Sequence, residues 1–428
     1  MESGAEALPS LSAGQIVARR ILGTLEAATK TPPGITRAAY GPGEQFAHDL
    51  VRAEAEALGA RAQVDAAGNL YMRLYGRNPD LPELIIGSHL DTVPHGGNYD
   101  GAAGVVAGLA VMADLVERQM APPRTLTVMV TRAEEAAWFP LSYPGSQAAF
   151  GLMTPQELEA RRSDTGMTLY DHMAQAGFDP EAVLRGEAQI HSQEIAAFIE
   201  VHIEQGPRLL AAGRPIGIVS GIAGGFRYVN ARCLGAYAHS GAEPRFSRHD
   251  SVLGFCDLMQ AMELEWDALQ KDGREATITV GRIESDPTQH GGSRVLGELS
   301  FTLDIRSGDE AVLTALQERL EAACSEIAAR RGVRFDLGPA FSWSTGNMDA
   351  ELISRLDASA ERLAMTVPHL PSGAGHDAAA FAAAGVSSAM LFVRNENGSH
   401  NPDESMEMAD LDEAIRILGD FVMNYEKN

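Results

Sequence analysis

Apolar residues recur along this chain with two alternating periods, one of three to four residues and one close to continuous. The longer period runs through 14–29 (Ile16, Val17, Ile21, Leu22, Leu25) and 45–58 (Phe46, Leu50, Val51, Ala53, Ala57, Leu58) and predicts amphipathic helices. Compact apolar runs at 70–74, 84–88 and 125–131 predict strands, with a helix rich in Ala, Gly and Val from about 104 to 118 between the last two. Runs that are apolar at nearly every position suit strands covered on both faces. This alternation predicts an α/β layered sheet with helices on its faces. Residues 151–195 are polar and read as mostly helical, and 196–202 reads as a further buried strand.

After Gly206-Pro207 the texture changes. Residues 216–221 and 227–237 read as strands, 249–270 as a helix and 276–283 as a strand. Within 298–306, Leu299, Phe301, Leu303 and Ile305 alternate with polar residues, the mark of a strand with one buried face. A helix over 309–330 and a strand over 333–342 close the block. A final α/β stretch resumes at Asp349 and carries a strand over 388–393. The order β-α-β-β-α-β fits a ferredoxin-like domain. The expected fold class is α/β: a mixed-sheet domain formed by 1–216 and 344–428, with an inserted ferredoxin-like α+β domain over 217–343.

A chain of 428 residues exceeds one ordinary core, in keeping with two domains. The net charge of −24 argues against nucleic acid and anionic membranes as partners, because both call for a basic surface. Cys233, Cys256 and Cys324 show no CxxC spacing and suggest a reducing compartment. Residues 1–12 lack the basic-then-apolar pattern of a secretory leader. No apolar run approaches the ~18–20 residues that span a bilayer. The expected location is the cytoplasm.

Candidate chemistry collects where the apolar runs stop. His89 follows one run, Glu134 and Glu135 another, His202 a third and His400 a fourth. In open α/β sheets ligands gather at the carboxyl ends of strands. Asp100, on a turn entering a helix, can reach the same crevice. Three imidazoles and at least two carboxylates suffice for two divalent metals about 3.5–4 Å apart, bridged by one carboxylate. Each residue has a plainer reading alone: His89 as a satisfied core histidine, Asp100 as a helix cap, Glu134-Glu135 as a solvated edge. His202 and His400 read evenly either way. Their joint placement at strand ends favours metal. Asp91 can hold the second ring nitrogen of His89.

The stretches GSHLDTVPHGGNYDGAAGV, AEEAAWF, VHIEQGP, GAYAHSGAEPRFSRHD, FTLDIR, SGAGHDA and GSHNPDE run from about residue 80 to 405. With them the chain resembles the amidase/hydantoinase/carbamoylase family of dinuclear metallo-amidohydrolases. That family includes N-carbamoyl-L-amino-acid hydrolases, β-ureidopropionases and allantoate amidohydrolases, and is related to aminoacylases and metallo-carboxypeptidases. The resemblance implies one metal on His89, Asp100 and His202 and a second on Asp100, Glu135 and His400, the ions being Zn, Mn, Co or Ni. It implies Glu134 as general base, a metal-bridging hydroxide as nucleophile, and a ureido or amide carbonyl of a small carboxylate-bearing substrate as target. It also implies that His239, on the inserted domain, stabilises the oxyanion in a neighbouring subunit's site, making that domain a lid and dimerisation module of a homodimer. Gln205 matches the family's polar contact to substrate. Arg306 carries the fork that grips a carboxylate bidentately. The 373–376 loop, Gly375 included, lets backbone approach a ligand, with His376 and Asp377 as loop-ordering residues.

Two segments depart from the family pattern. An Asn-Val-x-Pro segment usually precedes the Asp-Ile-Arg triplet by about a dozen residues. Here Ser293-Arg294-Val295-Leu296 stands in its place, near His290. The family's His-Ala-Gly is His239-Ser240-Gly241, and its Thr-Pro-Met is Glu243-Pro244-Arg245. The expectation is a retained hydrolytic centre and a substrate other than a standard N-carbamoyl amino acid. His290 and Arg294 either serve a second anionic or carbonyl group or belong to a solvated loop. The alternative is an N-acyl amino acid or dipeptide-type amidohydrolase. A non-catalytic binding protein is the reading from another class, and Glu134 beside five metal positions argues against it.

Overall fold

The computed structural model describes residues 11–343 and 345–425. Residues 1–10, most of the stretch without a leader pattern, lie outside them. The first longer elements are helices α1 (Ala13–Thr29) and α2 (Pro42–Ala57), strands β1 (Arg61–Val64), β2 (Leu70–Leu74) and β3 (Glu83–His89), helix α3 (Ala102–Glu117), and strands β4 (Leu126–Thr131), β5 (Ile195–Ile203) and β6 (Ile216–Ile222). Next come β7 (Gly224–Leu234), α4 (Ser251–Lys271), β8 (Thr277–Thr279), β9 (Glu298–Ser307), α5 (Glu310–Arg331) and β10 (Arg334–Asp336). The last are β11 (Gly346–Asn347), α6 (Ala350–Arg362), β12 (His369–Ser372), α7 (Asp377–Ala383), β13 (Ser388–Val393) and α8 (Met408–Met423). Two compact units result. One comprises Met1–Ser220, Asn347–Leu370 and His376–Asn428, and the other Gly221–Gly346 with Pro371–Gly375.

The larger sheet is mixed and has nine strands in the order β11-β6-β13-β5-β3-β4-β2-β1, with β12 paired to β6. Its four central strands, β13, β5, β3 and β4, are parallel, and β6 and β2 flank them antiparallel. Parallel strands end on the same side, so His89, Thr131, Ile203 and Val393 close four neighbouring strands along one edge. β4 and β13 are buried at every position, which accounts for their unbroken apolar runs. α3 is buried on nearly all sides, between β3, β4 and β5 and helices α1 and α8. Its close seat on β5 needs Gly104, where a Cβ would run into the carbonyl of Val201. α1 begins at a capping box between Ser12 and Gln15 and buries Val17, Ile21, Leu22 and Leu25.

In the second unit the strands lie in the order β8-β9-β7-β10 and pair antiparallel. Helices α4 and α5 share a core with Phe226, Tyr228, Phe301, Leu303 and Ile305. Burial alternates along β9, so Thr302, Asp304 and Arg306 share its other face. Two strands expected whole are broken. The 276–283 run becomes β8 and Ile283–Glu284, and the 333–342 run becomes β10 and Phe341–Trp343. Gly338, in the left-handed region at φ 70°, turns the chain between the latter two. β7 lies three residues earlier in the chain than the 227–237 expected. Residues 151–195 form three short helices (Pro155–Leu158, Leu169–Gln175, Pro180–Leu184), a 3-10 turn (Ser192–Glu194) and connecting turns. Among the described residues no helix is long and apolar enough to cross a membrane.

Gly104→Ala should destabilise the first unit by roughly 1–3 kcal/mol through overpacking. Gly419→Ala, in α8 with nothing within 4 Å of its would-be Cβ, should instead stabilise by up to about 1 kcal/mol through helix propensity. Denaturant midpoints of the two variants check the contrast.

Candidate metal centre

The first unit gathers its histidines and carboxylates at the carboxyl edge of the parallel strands. His89 closes β3, and its Nδ1 lies 3.1 Å from the carbonyl oxygen of Asp91. His202, in the last turns of pleat of β5, places Nδ1 2.8 Å from the carbonyl oxygen of Ile203. A carbonyl only accepts, so each ring carries its proton on Nδ1 and offers the Nε2 lone pair. Both lone pairs face one carboxylate: Asp100 Oδ1 is 3.5 Å from His89 Nε2 and 3.0 Å from His202 Nε2. The other oxygen, Oδ2, lies 3.4 Å from His400 Nε2, which is 3.5 Å from Glu135 Oε1. Donor atoms of His89, Asp100 and His202 fall within 4.8 Å of one another, and so do those of Asp100, Glu135 and His400. Gly101, at φ 66°, makes the turn that presents Asp100, and a Cβ there would strike the His89 ring.

The electrostatics are those of a cation seat. Burial alone would raise the pKa of Asp100, but His202, His400 and His89 outweigh it and hold it well below the usual carboxylate range. Burial and the nearby Asp100 carboxylate push Glu135 up to about 7. Burial also raises Glu134 well above the ordinary range, with Glu135, Asp377 and Asp91 adding to it against His89. For His400, burial lowers the pKa, but Asp100 and Glu135 raise it to about 9. Glu135 Oε1 is buried with no hydrogen-bond partner. A buried carboxylate oxygen left unpaired beside an imidazole and a second carboxylate is what a divalent cation satisfies, and this N/O donor set suits Zn, Mn, Co or Ni.

Glu134 stays outside both triads, with Oε2 3.8 Å from His89 Nε2. Its turn follows β4 through Ala133, at φ 57°. Asp91 does more here than orient His89. Its two carboxylate oxygens accept the backbone N–H groups of Glu134 and Glu135, each at 3.1 Å, while Oδ1 is 3.4 Å from His89 Nδ1. Gln205, at φ 61°, donates from Nε2 to Asp100 Oδ2 at 2.7 Å. His376 packs against the His202 ring, centroids 4.5 Å apart.

Three residues that sequence did not single out hold this arrangement, together with Asp377, which was expected to order its loop. Glu404 accepts the N–H groups of Tyr99 and Asp100 at 2.8 and 3.3 Å. Ser399 bridges Asp100 and Glu404. Glu200 accepts from Ser88 Oγ at 2.9 Å and from the Ala378 N–H at 2.8 Å, and burial beside Asp377 raises it to about 7. Asp377 accepts from the hydroxyls of Thr131 and Ser146 at 2.5 and 2.6 Å. Glu200 is detectable by its spacing, since strand alternation puts it on the same face as His202.

The remaining candidates lie in the second unit. His239 pairs with Arg294 across the two-stranded ribbon of Ala238–His239 and Arg294–Val295. Its Nδ1 accepts the Ala242 N–H at 3.1 Å. His290 contacts Ser285 Oγ at 2.8 Å, and Arg294 donates to the side-chain and backbone oxygens of Gln289. Arg306 donates to Asp304 from Nε at 2.7 Å and to the Gly373 carbonyl from Nη1 at 3.1 Å. Gly375 lies two residues further along that loop. Arg227 shares Asp304, with Nε 2.5 Å from Oδ2, and both guanidinium groups lie over the Trp343 ring.

Residues 85–424 match the model of peptidase family M20/M25/M40. Allantoate amidohydrolase of Escherichia coli (strain K12) is 33% identical over 388 residues, covering 90% of this chain and 91% of that protein. N-carbamoyl-L-amino-acid amidohydrolase of Pseudomonas sp. (strain NS671) is 32% identical over 397 residues, 92% of this chain and 93% of that protein. The crystal structure of an amidase of the hydantoinase/carbamoylase family from Burkholderia multivorans superposes with a TM-score of 0.84 at 27% identity, covering 97% of this chain and 98% of that one.

Asp91→Ala strips two buried N–H groups of their acceptors and should cost roughly 2–4 kcal/mol of stability. Asp91→Asn keeps one acceptor oxygen and should cost less. Chemical denaturation of metal-stripped protein measures both.

Proposed function

The chain belongs to peptidase family M20/M25/M40 and is a hydrolase, and from that premise we propose that it hydrolyses the carbamoyl or ureido C–N bond of a small carboxylate-bearing substrate with the help of two divalent cations. The observation that carries the two-cation reading is the division of Asp100, whose Oδ1 belongs to the His89–His202 triad and Oδ2 to the Glu135–His400 triad. The substrate class is supported by relatives named allantoate amidohydrolase and N-carbamoyl-L-amino-acid amidohydrolase. Cations held on the two triads would acidify a water and polarise the target carbonyl.

The other roles fall to side chains. Glu134, kept off both triads and with a raised proton affinity, takes a proton from the attacking water and passes it to the leaving nitrogen. His239 accepts at Nδ1, so its neutral ring carries a proton on Nε2 to donate to the developing oxyanion. Arg306, held flat by Asp304 and Trp343, pairs with the substrate carboxylate. Gln205 and the backbone around Gly375 make polar contacts to substrate. We read the second unit as a ferredoxin-like lid and dimerisation domain, and the protein as a homodimer in which His239 of one subunit serves the site of the other. The exposure of His239 and the βαββαβ order support this. The unpaired cysteines support a reducing compartment, the cytoplasm. Arg294, opposite His239 on the ribbon, supports a substrate with a second anionic or carbonyl group, with His290 nearby.

Glu134→Gln should lower kcat by about 10²–10⁴-fold while the metal-to-protein ratio stays unchanged. Undiminished turnover would remove Glu134 as the base. A panel of N-carbamoyl, N-acyl and N-formyl amino acids separates the substrates, because only ureide cleavage releases both ammonia and CO2. Release of an intact acyl carboxylate would point instead to the aminoacylase-like alternative. Ordinary kinetics on simple N-carbamoyl-L-amino acids would discard the second-group role of Arg294.

A further inference from the structure

The hydroxyl of Ser399 stands between two carboxylates. Its Oγ is 2.6 Å from Asp100 Oδ2 and 2.6 Å from Glu404 Oε2. A serine hydroxyl has one hydrogen to give, so only one of these contacts can be a donation from serine. Asp100 Oδ2 is also the oxygen nearest His400 Nε2, at 3.4 Å. That oxygen has two lone pairs and Gln205 Nε2 donates to it at 2.7 Å, so a cation on the second triad needs the lone pair that Ser399 would otherwise fill. The direction of one proton therefore bears on whether the second triad is open.

We propose that Glu404 is a positioning residue for the second triad: it draws the Ser399 hydrogen to itself and so leaves Asp100 Oδ2 open to a cation. This rests on the two-cation reading. Glu404 is built into the place. Its Oε1 accepts the N–H groups of Tyr99 and Asp100, its side chain is buried, and Gly97 has no room for a Cβ because Glu404 fills the space. Ser399 precedes His400 in the chain and Tyr99 precedes Asp100, so Glu404 joins the two segments that carry ligands of the second triad. Both carboxylates only accept, but Asp100 Oδ2 has a second donor in Gln205, whereas the donor to Glu404 Oε2 is Ser399. The remaining donor to Asp100 Oδ2 is Gln205 Nε2, at 2.7 Å. Gln205 Oε1 is buried without a partner, so turning this amide over exchanges donor for acceptor without losing a bond from Oε1.

Glu404→Gln tests this, because the change alters proton direction more than shape. The amide oxygen still accepts from Tyr99 and Asp100, but the amide nitrogen donates to Ser399 Oγ. The serine hydrogen must then go to Asp100 Oδ2, in competition with the cation. Metal-stripped full-length protein is titrated with Zn(II) by calorimetry, and the bound ratio after dialysis is read by plasma mass spectrometry. Wild type is expected to bind two ions. Glu404→Gln is expected to weaken the second by about tenfold or more while leaving the first nearly unchanged. Adding Ser399→Ala, which removes the competing hydroxyl, is expected to restore the second site. Equal weakening of both sites, or no rescue by Ser399→Ala, would reduce Glu404 to a structural brace and overturn the proposal. Wild type binding one ion would instead defeat the two-cation reading. If Glu404→Gln does not fold, Ser399→Ala alone decides: it should bind the second ion at least as tightly as wild type, and a tenfold loss would overturn the proposal.

Discussion

Carboxylates crowded into a buried place must each find donors, and this constraint organises the edge of the large sheet. Asp91 is met by two backbone N–H groups, Asp377 by two hydroxyls, Glu200 by a hydroxyl and the N–H of Ala378, and Glu404 by two N–H groups and Ser399. Asp100 accepts from Gln205 Nε2, contacts the Ser399 hydroxyl that it shares with Glu404, and faces the imidazoles of His89, His202 and His400. Among these carboxylates Glu135 Oε1 is buried with no hydrogen-bond donor, as is the amide oxygen of Gln205. A buried oxygen without a hydrogen-bond donor is costly, and Glu135 Oε1 is one of the atoms grouped with Asp100 and His400. His400, 3.5 Å from that oxygen, is the exposed member of the two triads.

The parallel centre of the sheet makes this crowding possible. Four strands that end on one side deliver residues from sequence positions as distant as 89 and 400 to one place, which an antiparallel hairpin array would send to alternate edges. α3 adds the fifth donor. It must lie close against β5 and must start on a left-handed turn, and Gly104 and Gly101 meet those two demands. The apolar helix and the placement of Asp100 are therefore one structural decision: the chain enters the helix through Asp100-Gly101.

What could be read from sequence divides along the same line. The gathering of His89, Asp100, Glu135, His202 and His400 at one sheet edge was legible in part, since the apolar runs ahead of them mark strand ends, while their division into two triads was implied by the family resemblance alone. The mixed α/β sheet was legible for the same reason. Glu404 and Ser399 were not, since their meaning lies in contacts across about three hundred residues, to Tyr99 and Asp100. Asp91 was read as a partner of His89, and its larger part, bracing the turn of Glu134 and Glu135, depends on a loop conformation at Ala133 that no local pattern announces. In the second unit the strict alternation along β9 was visible, whereas the breaks at 280–282 and 337–340 were passed over, although Gly281 and Gly338-Pro339 stand in them.

The second unit applies the same logic with the signs reversed. One carboxylate, Asp304, holds two guanidinium groups, Arg227 and Arg306, over a single indole ring. Burial would raise the pKa of Asp304, but the two arginines outweigh it and keep the carboxylate ionised below its usual range. Two positive charges and one negative leave the cluster one positive charge in excess, in a chain whose net charge is −24. The excess faces an open cavity of about 380 Å3 lined also by Thr277, Thr279 and Thr302. The first unit thus crowds acceptors at its sheet edge, whereas the second gathers donors around the single carboxylate of Asp304.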